Sequence, residues 1–245
     1  MQISTLPSTG LILEFTSTTV YLFDKTFLTQ GQCCCAGSRI YVQEDIYDKF
    51  VEKFTARAKK NVVGDPFESS TVQGPQVSEL QFTRIMDYIK AGKDEGAKVE
   101  LGGERHGKEG YFIQPTIFTG VNEKMKIMQE EIFGPVVAIG KFKDVEDVLQ
   151  KAHETFYGLA ASLHTQNLNT AIEVSNRLQA GSVWVNCHNF LSHQMPFGGF
   201  KQSGIGRELG YALFECLTLT CSKYALSNYT NVKSVHINLT MKAPF

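Results

Sequence analysis

Residues 27–39 read Phe27-Leu28-Thr29-Gln30-Gly31-Gln32-Cys33-Cys34-Cys35-Ala36-Gly37-Ser38-Arg39. Three consecutive cysteines follow a Gly-Gln pair, small residues come next, and a basic residue closes the run. The pattern predicts a thiol held at a turn that enters a helix. Unpaired backbone N–H groups and the positive end of a helix stabilise a thiolate, so a cysteine there loses its proton more readily than a free one. Attack on a carbonyl carbon is the chemistry such a group suits. Zinc ligands use spacers of two to four residues, and adjacent cysteine side chains are expected to point apart, so the triplet is read as holding no metal. A disulfide within it is disfavoured because neighbouring Cα atoms are only about 3.8 Å apart. Cys33 and Cys35 also fit inert packing, since free cysteine is often a small core hydrophobe.

Outward from this stretch, the 245-residue chain is 42% hydrophobic, enough for a sizeable core. Lys+Arg 24 against Asp+Glu 25 leaves a net charge of −1. With no basic stripe and no aromatic–basic interleaving, nucleic acid is excluded as an expected partner. The first 15 residues lack a positive n-region, and the apolar run Leu11-Ile12-Leu13 is broken by Glu14, so neither a signal peptide nor a membrane span is read there. Six cysteines without framework spacing fit a reducing compartment, and the cytoplasm is the expected location.

Residues 1–26 show no sustained period and are left unassigned. After the expected cysteine helix, 39–42 reads as a strand. Within 44–60, Ile46, Phe50, Phe54 and Ala58 recur four apart on one helical face. Ser78 with Gln81 forms a capping box for a helix burying Phe82, Ile85, Met86 and Ile89. Strands follow at 98–101 and 111–121, the latter placed at a sheet edge by Pro115. Further strands are read at 136–142, 159–163 and 182–186. Between them lie a helix capped by Asp144 and one carrying Leu168, Ala171, Ile172 and Leu178 that ends at Gly181. Apolar strands alternating with capped helices predict an α/β fold in three layers, a largely parallel sheet with flanking helices.

Three later stretches carry chemistry: Glu130-Glu131-Ile132-Phe133-Gly134-Pro135, Trp184-Val185-Asn186-Cys187, and the run from Pro196-Phe197-Gly198-Gly199 to Gly204-Ile205-Gly206-Arg207-Glu208. The last contains Gly204-x-Gly206-x-x-x-Gly210, one residue too long for a dinucleotide-binding loop and without the preceding strand or the acid downstream. A cysteine hydrolase arrangement would pair Cys34 with His188 or His193 and with Asn186 or Asn189, provided that the fold brings them together.

The spacing Phe-x-x-x-Gly-Gln-x-Cys from Phe27 to Cys34, together with these later stretches, resembles the NAD(P)-dependent aldehyde dehydrogenases. The resemblance implies that Cys34 is the nucleophile. It implies that Glu131 binds the nicotinamide ribose hydroxyls of NAD or NADP, beside which Phe133 packs. It places Phe197 and Leu191, with Cys33 and Cys35 flanking the thiol, around a small-molecule aldehyde. It also implies a homo-oligomer whose terminal strand, with Val235, Ile237 and Leu239 on its apolar face, joins a neighbouring subunit's sheet. The family's cofactor domain and the Glu-Leu-Gly-Gly-type segment with the general base are expected ahead of the cysteine, and 1–26 resembles neither. Tyr211-Ala212-Leu213 recurs as Tyr224-Ala225-Leu226, so 211–223 reads as an insertion. The expected layout is an unassigned segment 1–26, a catalytic domain 27–210, the insertion, and a helix end with the oligomerisation strand in 224–245. The resemblance implies aldehyde oxidation to a carboxylic acid, with this chain inactive alone; the alternative is a non-catalytic fragment that associates with full-length subunits.

Overall fold

Ser78 Oγ accepts the backbone N–H of Gln81 at 3.3 Å, and Asp144 Oδ1 accepts that of Asp147 at 2.9 Å, so two of the expected caps start helices where the side chains call for them. The computed structural model describes residues 12–15, 27, 29–207, 209 and 231–238. Its strands are β1 (Ile12–Phe15), β2 (Arg39–Gln43), β3 (Lys98–Leu101), β4 (Thr116–Thr119), β5 (Val136–Phe142), β6 (Ala160–His164), β7 (Ser182–Val185) and β8 (Ser234–Ile237). Its helices are α1 (Tyr47–Ala58), α2 (Glu79–Asp94), α3 (Lys126–Gln129), α4 (Val145–His153) and α5 (Leu168–Arg177).

The strands form one sheet in the order β3-β4-β5-β2-β1-β6-β7-β8. The pairs β2·β5, β4·β5, β6·β7 and β7·β8 are parallel, while β1·β2, β1·β6 and β3·β4 are antiparallel. Side chains alternate across the pleat and divide the core in two. Ile40, Val42, Ile117, Val137 and Ile139 face α1 through Phe50, Phe54 and Ala58. Tyr41, Phe118, Val136 and Ala138 face the opposite way, with Ile85 and Ile89 of α2, Val148 and Leu149 of α4, and Val174 of α5. Helices thus cover both faces of a mostly parallel sheet, as the alternation of elements predicts.

Several expectations change. Residues 33–36 form a turn closed by the Ala36 N–H on Cys33 O at 2.8 Å, and strand β2 follows at Arg39 without any helix between. Positive φ at Gln30 (54°) and Gly31 (71°) reverses the chain just before the cysteines. Pro115 precedes an interior strand rather than lying in an edge strand, since β4 sits between β3 and β5. On α5 the buried face is Ala171, Val174 and Ser175, while Leu168 and Ile172 are exposed and the helix ends at Arg177. Residues 12–15 of the unassigned segment become β1, in the middle of the sheet. The terminal strand β8 pairs with β7 of its own chain, from Ser182↔Ser234 to Val185↔Ile237, and forms one edge of the sheet. The expected insertion at 211–223 lies outside the described residues.

One buried histidine links stability to pH. His164 at the end of β6 is fully enclosed, and burial holds its pKa down to about 4. The unfolded chain therefore binds a proton near pH 6.5 that the folded chain refuses until about pH 4. Stability should be whole above pH 6.5 and fall as the pH drops toward 4, by up to about 3 kcal/mol from this group. Urea melts at pH 7.5 and pH 4.5 are expected to show a smaller acid loss for His164→Leu than for the wild type. Parallel losses would remove His164 as the cause.

Candidate active site

The cysteine turn is pinned from both sides. Gln30 N–H bonds to Phe27 O at 3.0 Å and Gln32 N–H to Thr29 O at 2.8 Å. The Gln32 side chain accepts the Val77 N–H at 3.0 Å, tying the turn to the segment that enters α2. Gly31 allows the backbone to approach Gly134, where a Cβ at 31 would lie 1.8 Å from the Gly134 carbonyl oxygen. The cysteine turn and the 130–135 loop are thereby pressed together.

The second loop is fixed by the other half of what looked like a capping box. Gln81 Nε2 does not turn back to its own helix start; it donates to Phe133 O at 2.9 Å and Ile132 O at 3.4 Å. It holds Phe133 in its left-handed conformation (φ 56°). Between the loops opens a cavity of about 270 Å³, whose lining includes Cys34, Cys33, Glu131 and Phe133. Residues distant in the sequence from the cysteines therefore face one space.

Four further lining residues have no role assigned from the sequence: Arg39, Tyr157, Gln202 and Ser203. Arg39 is buried, donates from Nη1 to Met128 O at 2.6 Å, and lies 5.9 Å from the centre of the Tyr157 ring. Burial works against its charge, and Tyr41, Tyr157 and Glu131 offset part of that penalty. Ser203 Oγ accepts the Gly158 N–H at 2.9 Å and so closes the far wall. A basic residue directly after a Gly-Ser pair was the available signal for Arg39, and Gln202 and Ser203 lie within the run from Pro196 to Glu208; nothing local marks Tyr157.

The expected substrate residues are not all in this cavity. Phe197 packs behind the turn against a small cluster of Cys35, Ala160, Trp184 and Cys187, with Cys33 at its margin. Leu191 is half exposed and lines a separate, far smaller concavity with Phe197, Trp184 and His236. Cys35 is buried and faces the cluster.

The three thiols titrate together. Hydrogen bonding from Cys34, then Cys35, pulls Cys33 down to about 2, while the bond with Cys33 pushes both Cys34 and Cys35 up. One proton leaves easily and the charge is shared between neighbouring sulfurs, so the triplet behaves as a single acid. Access then decides which sulfur reacts, and Cys34 is the exposed one. Burial pushes Cys187 up to about 11, which leaves that thiol protonated and inert.

A hydrolase arrangement finds little support. Asn186 spends both ends of its amide on the backbone of Thr165, accepting at 2.9 Å and donating at 2.8 Å. His188 is buried edge-on against Trp184, ring centres 5.0 Å apart, and His193 is exposed. Residues 204–206 form a loop after a 3₁₀ turn (Lys201–Ser203), in line with the rejection of a dinucleotide loop there.

Known proteins share this fold. A family model described as "Aldehyde dehydrogenase family" matches residues 14–234. An aldehyde dehydrogenase of Davidiella tassiana is 63% identical over 213 residues, which cover 87% of this chain and 40% of that protein. A mitochondrial aldehyde dehydrogenase of Homo sapiens is 53% identical over 216 residues, covering 88% of this chain and 40% of that protein. Among solved structures, betaine aldehyde dehydrogenase from Staphylococcus aureus in complex with NAD+ superposes with a TM-score of 0.77 at 39% identity, covering 80% of this chain and 40% of that one. An aldehyde dehydrogenase from Bacillus cereus gives 0.76 at 45% identity, covering 89% and 42%. The chain spans about two fifths of the length of the relatives that it matches. Across that span the family match and the fold agree, and the chain belongs to the aldehyde dehydrogenase family.

Proposed function

We propose that this chain carries the thiol half of an NAD(P)-dependent aldehyde oxidation, with Cys34 as nucleophile and the aldehyde carbon presented in the cavity above it. The observation that carries the reading is the convergence of an exposed Cys34 with Glu131 and Phe133 on one cavity, brought about by the close approach of Gly31 to Gly134. The Cys34 sulfur adds to the carbonyl carbon to form a thiohemiacetal. The backbone N–H of Cys34 stabilises the oxyanion that develops. Loss of hydride then leaves a thioester on Cys34, which water hydrolyses with the help of a general base. Phe197, behind the turn, packs against the apolar cluster that holds Cys35.

The cavity fits the nicotinamide end of a dinucleotide. The Glu131 carboxylate can accept from two ribose hydroxyls, and the Phe133 ring offers an apolar face beside them. NAD(P)+, when bound, supplies the hydride acceptor. Arg39 and Tyr157 keep the lower wall fixed and partly dry. Four described cysteines are free thiols, which supports a reducing compartment. Among the described residues no helix is long and apolar enough to cross a membrane.

The 245 residues alone are proposed to take up an acyl group without oxidising aldehydes. Losing one oxyanion donor costs about 10²–10³ in rate, and losing the dinucleotide-binding half of such a site removes the hydride acceptor. Intact-mass and peptide mapping after a brief exposure to an activated ester should show one acyl group per chain, on Cys34, and none in Cys34→Ser. Acyl groups spread equally over Cys33, Cys34 and Cys35 would defeat the assignment of the nucleophile. Aldehyde-dependent NADH formation well above that of Cys34→Ser would defeat the proposed inactivity.

A further inference from the structure

Spacing alone argues that adjacent cysteine side chains diverge, but the fold contradicts this. The sulfurs of Cys33, Cys34 and Cys35 all lie within 4.8 Å of one another, and those of Cys34 and Cys35 are 3.9 Å apart. The turn is the cause: the Ala36 N–H on Cys33 O curls the three residues so that their side chains share one side. An ion held in a plane by three sulfurs at about 2.3 Å separates those sulfurs by about 4.0 Å. The triplet is thus close to the geometry of three-fold thiolate coordination before any ion arrives.

We propose that the Cys33, Cys34 and Cys35 turn is a three-coordinate site for one soft, thiophilic cation, Cu(I), with the exposed Cys34 sulfur as the entry ligand. Three features select this class. The donors are all sulfur, and soft thiolate ligands favour Cu(I) over the harder divalent ions. No fourth His, Cys, Asp or Glu joins the group among the described residues, whereas zinc favours four ligands. The floor is apolar, formed by Ala160, Trp184 and Cys187, and Cys35 is only 2% exposed, so an ion once seated is screened from water on its inner side.

The chemistry needs no oxidant. Cu(I) enters in its reduced state, copper–sulfur bonds replace S–H bonds, up to three protons pass to solvent, and no electron is transferred. If Cys34 is the nucleophile, an assignment that rests on the function proposed above, the bound ion caps it and makes the site a reversible off-switch. Occupancy of the site itself does not depend on that assignment.

The test is an anaerobic titration of the full chain against the coloured Cu(I)–bicinchoninate complex. One equivalent of Cu(I) should be withdrawn per chain. Cys33→Ser and Cys34→Ser should each weaken the transfer at least tenfold with unchanged circular dichroism. The double variant Cys216→Ser/Cys221→Ser should retain it. An affinity that follows the double variant, or that is the same in Cys34→Ser as in the wild type, overturns the proposal. So does stoichiometric Zn(II) binding that Cu(I) cannot displace. Because the readout is colour, a failure of ester acylation at Cys34 leaves this result intact, and the two proposals fail separately.

Discussion

Gly31→Ala is expected to erase acylation at Cys34 and to lower the unfolding free energy by about 2–5 kcal/mol, the sum of a left-handed backbone penalty and an overpacking penalty. The new Cβ would meet Gly134 O at 1.8 Å and Gly134 C at 2.2 Å, which are backbone atoms rather than the mobile end of a side chain. Neither partner can retreat. Gly134 is itself pressed against Ile85, whose Cδ1 lies 2.6 Å from where a Cβ at 134 would stand, and Ile85 is wholly buried. The φ of Gly31, +71°, adds strain for any L residue. Gly96→Ala is the matched control, because Gly96 has φ +92° but nothing within 4 Å of its would-be Cβ. It should pay only the backbone penalty of about 1–2 kcal/mol and leave acylation unchanged. Denaturant melts with mass spectrometry of both variants make the comparison, and equal losses would show that the contact between the two loops is not what holds the site.

Phe118→Ala should cost about 3–5 kcal/mol without altering the cavity chemistry in those molecules that remain folded. Phe118 is fully buried on β4 and belongs to the larger core cluster beneath α2. Its ring tip would be 3.1 Å from a Cβ at Gly92, so helix and sheet meet there with no room for rearrangement to fill the void. Calorimetry or denaturant melts read the loss directly. A change below 1 kcal/mol would mean that α2 settles onto the sheet and closes the gap.

What the sequence disclosed follows the range over which each signal acts. Strands β3 and β5 begin and end where the sequence places them, and α1 with the 3₁₀ turn before it buries Ile46, Phe50, Phe54 and Ala58 with the periodicity that names them. Those are local signals, complete within a few turns of chain. The cysteine turn was misread as entering a helix because small residues suit both, and the decision lies in the hydrogen bond from Ala36 to Cys33 and in the parallel pairing of Arg39 with Ala138. Glu131 and Phe133 were identified by a motif, and Arg39, Gln202 and Ser203 lie in stretches that the sequence singled out without a role for them, whereas Tyr157 enters the cavity wall only through tertiary placement. The Gln81 side chain shows both cases at once. Its backbone N–H obeys the cap, and its amide crosses to a loop that no periodicity connects to it.

Strand β1 has a consequence for how the molecule breathes. It pairs with Arg39 through Val42 on one side and with Ser162 through His164 on the other, so the two parallel halves of the sheet communicate through four residues. A fluctuation that releases this short ribbon frees amides on β2 and β6 in the same event. In native-state hydrogen exchange the two flanking strands should therefore share one opening free energy, below that of β5, and behave as a single cooperative unit. The turn bearing Cys34 leads directly into β2, so the lifetime of the assembled thiol site is tied to the ribbon that joins the two halves of the sheet.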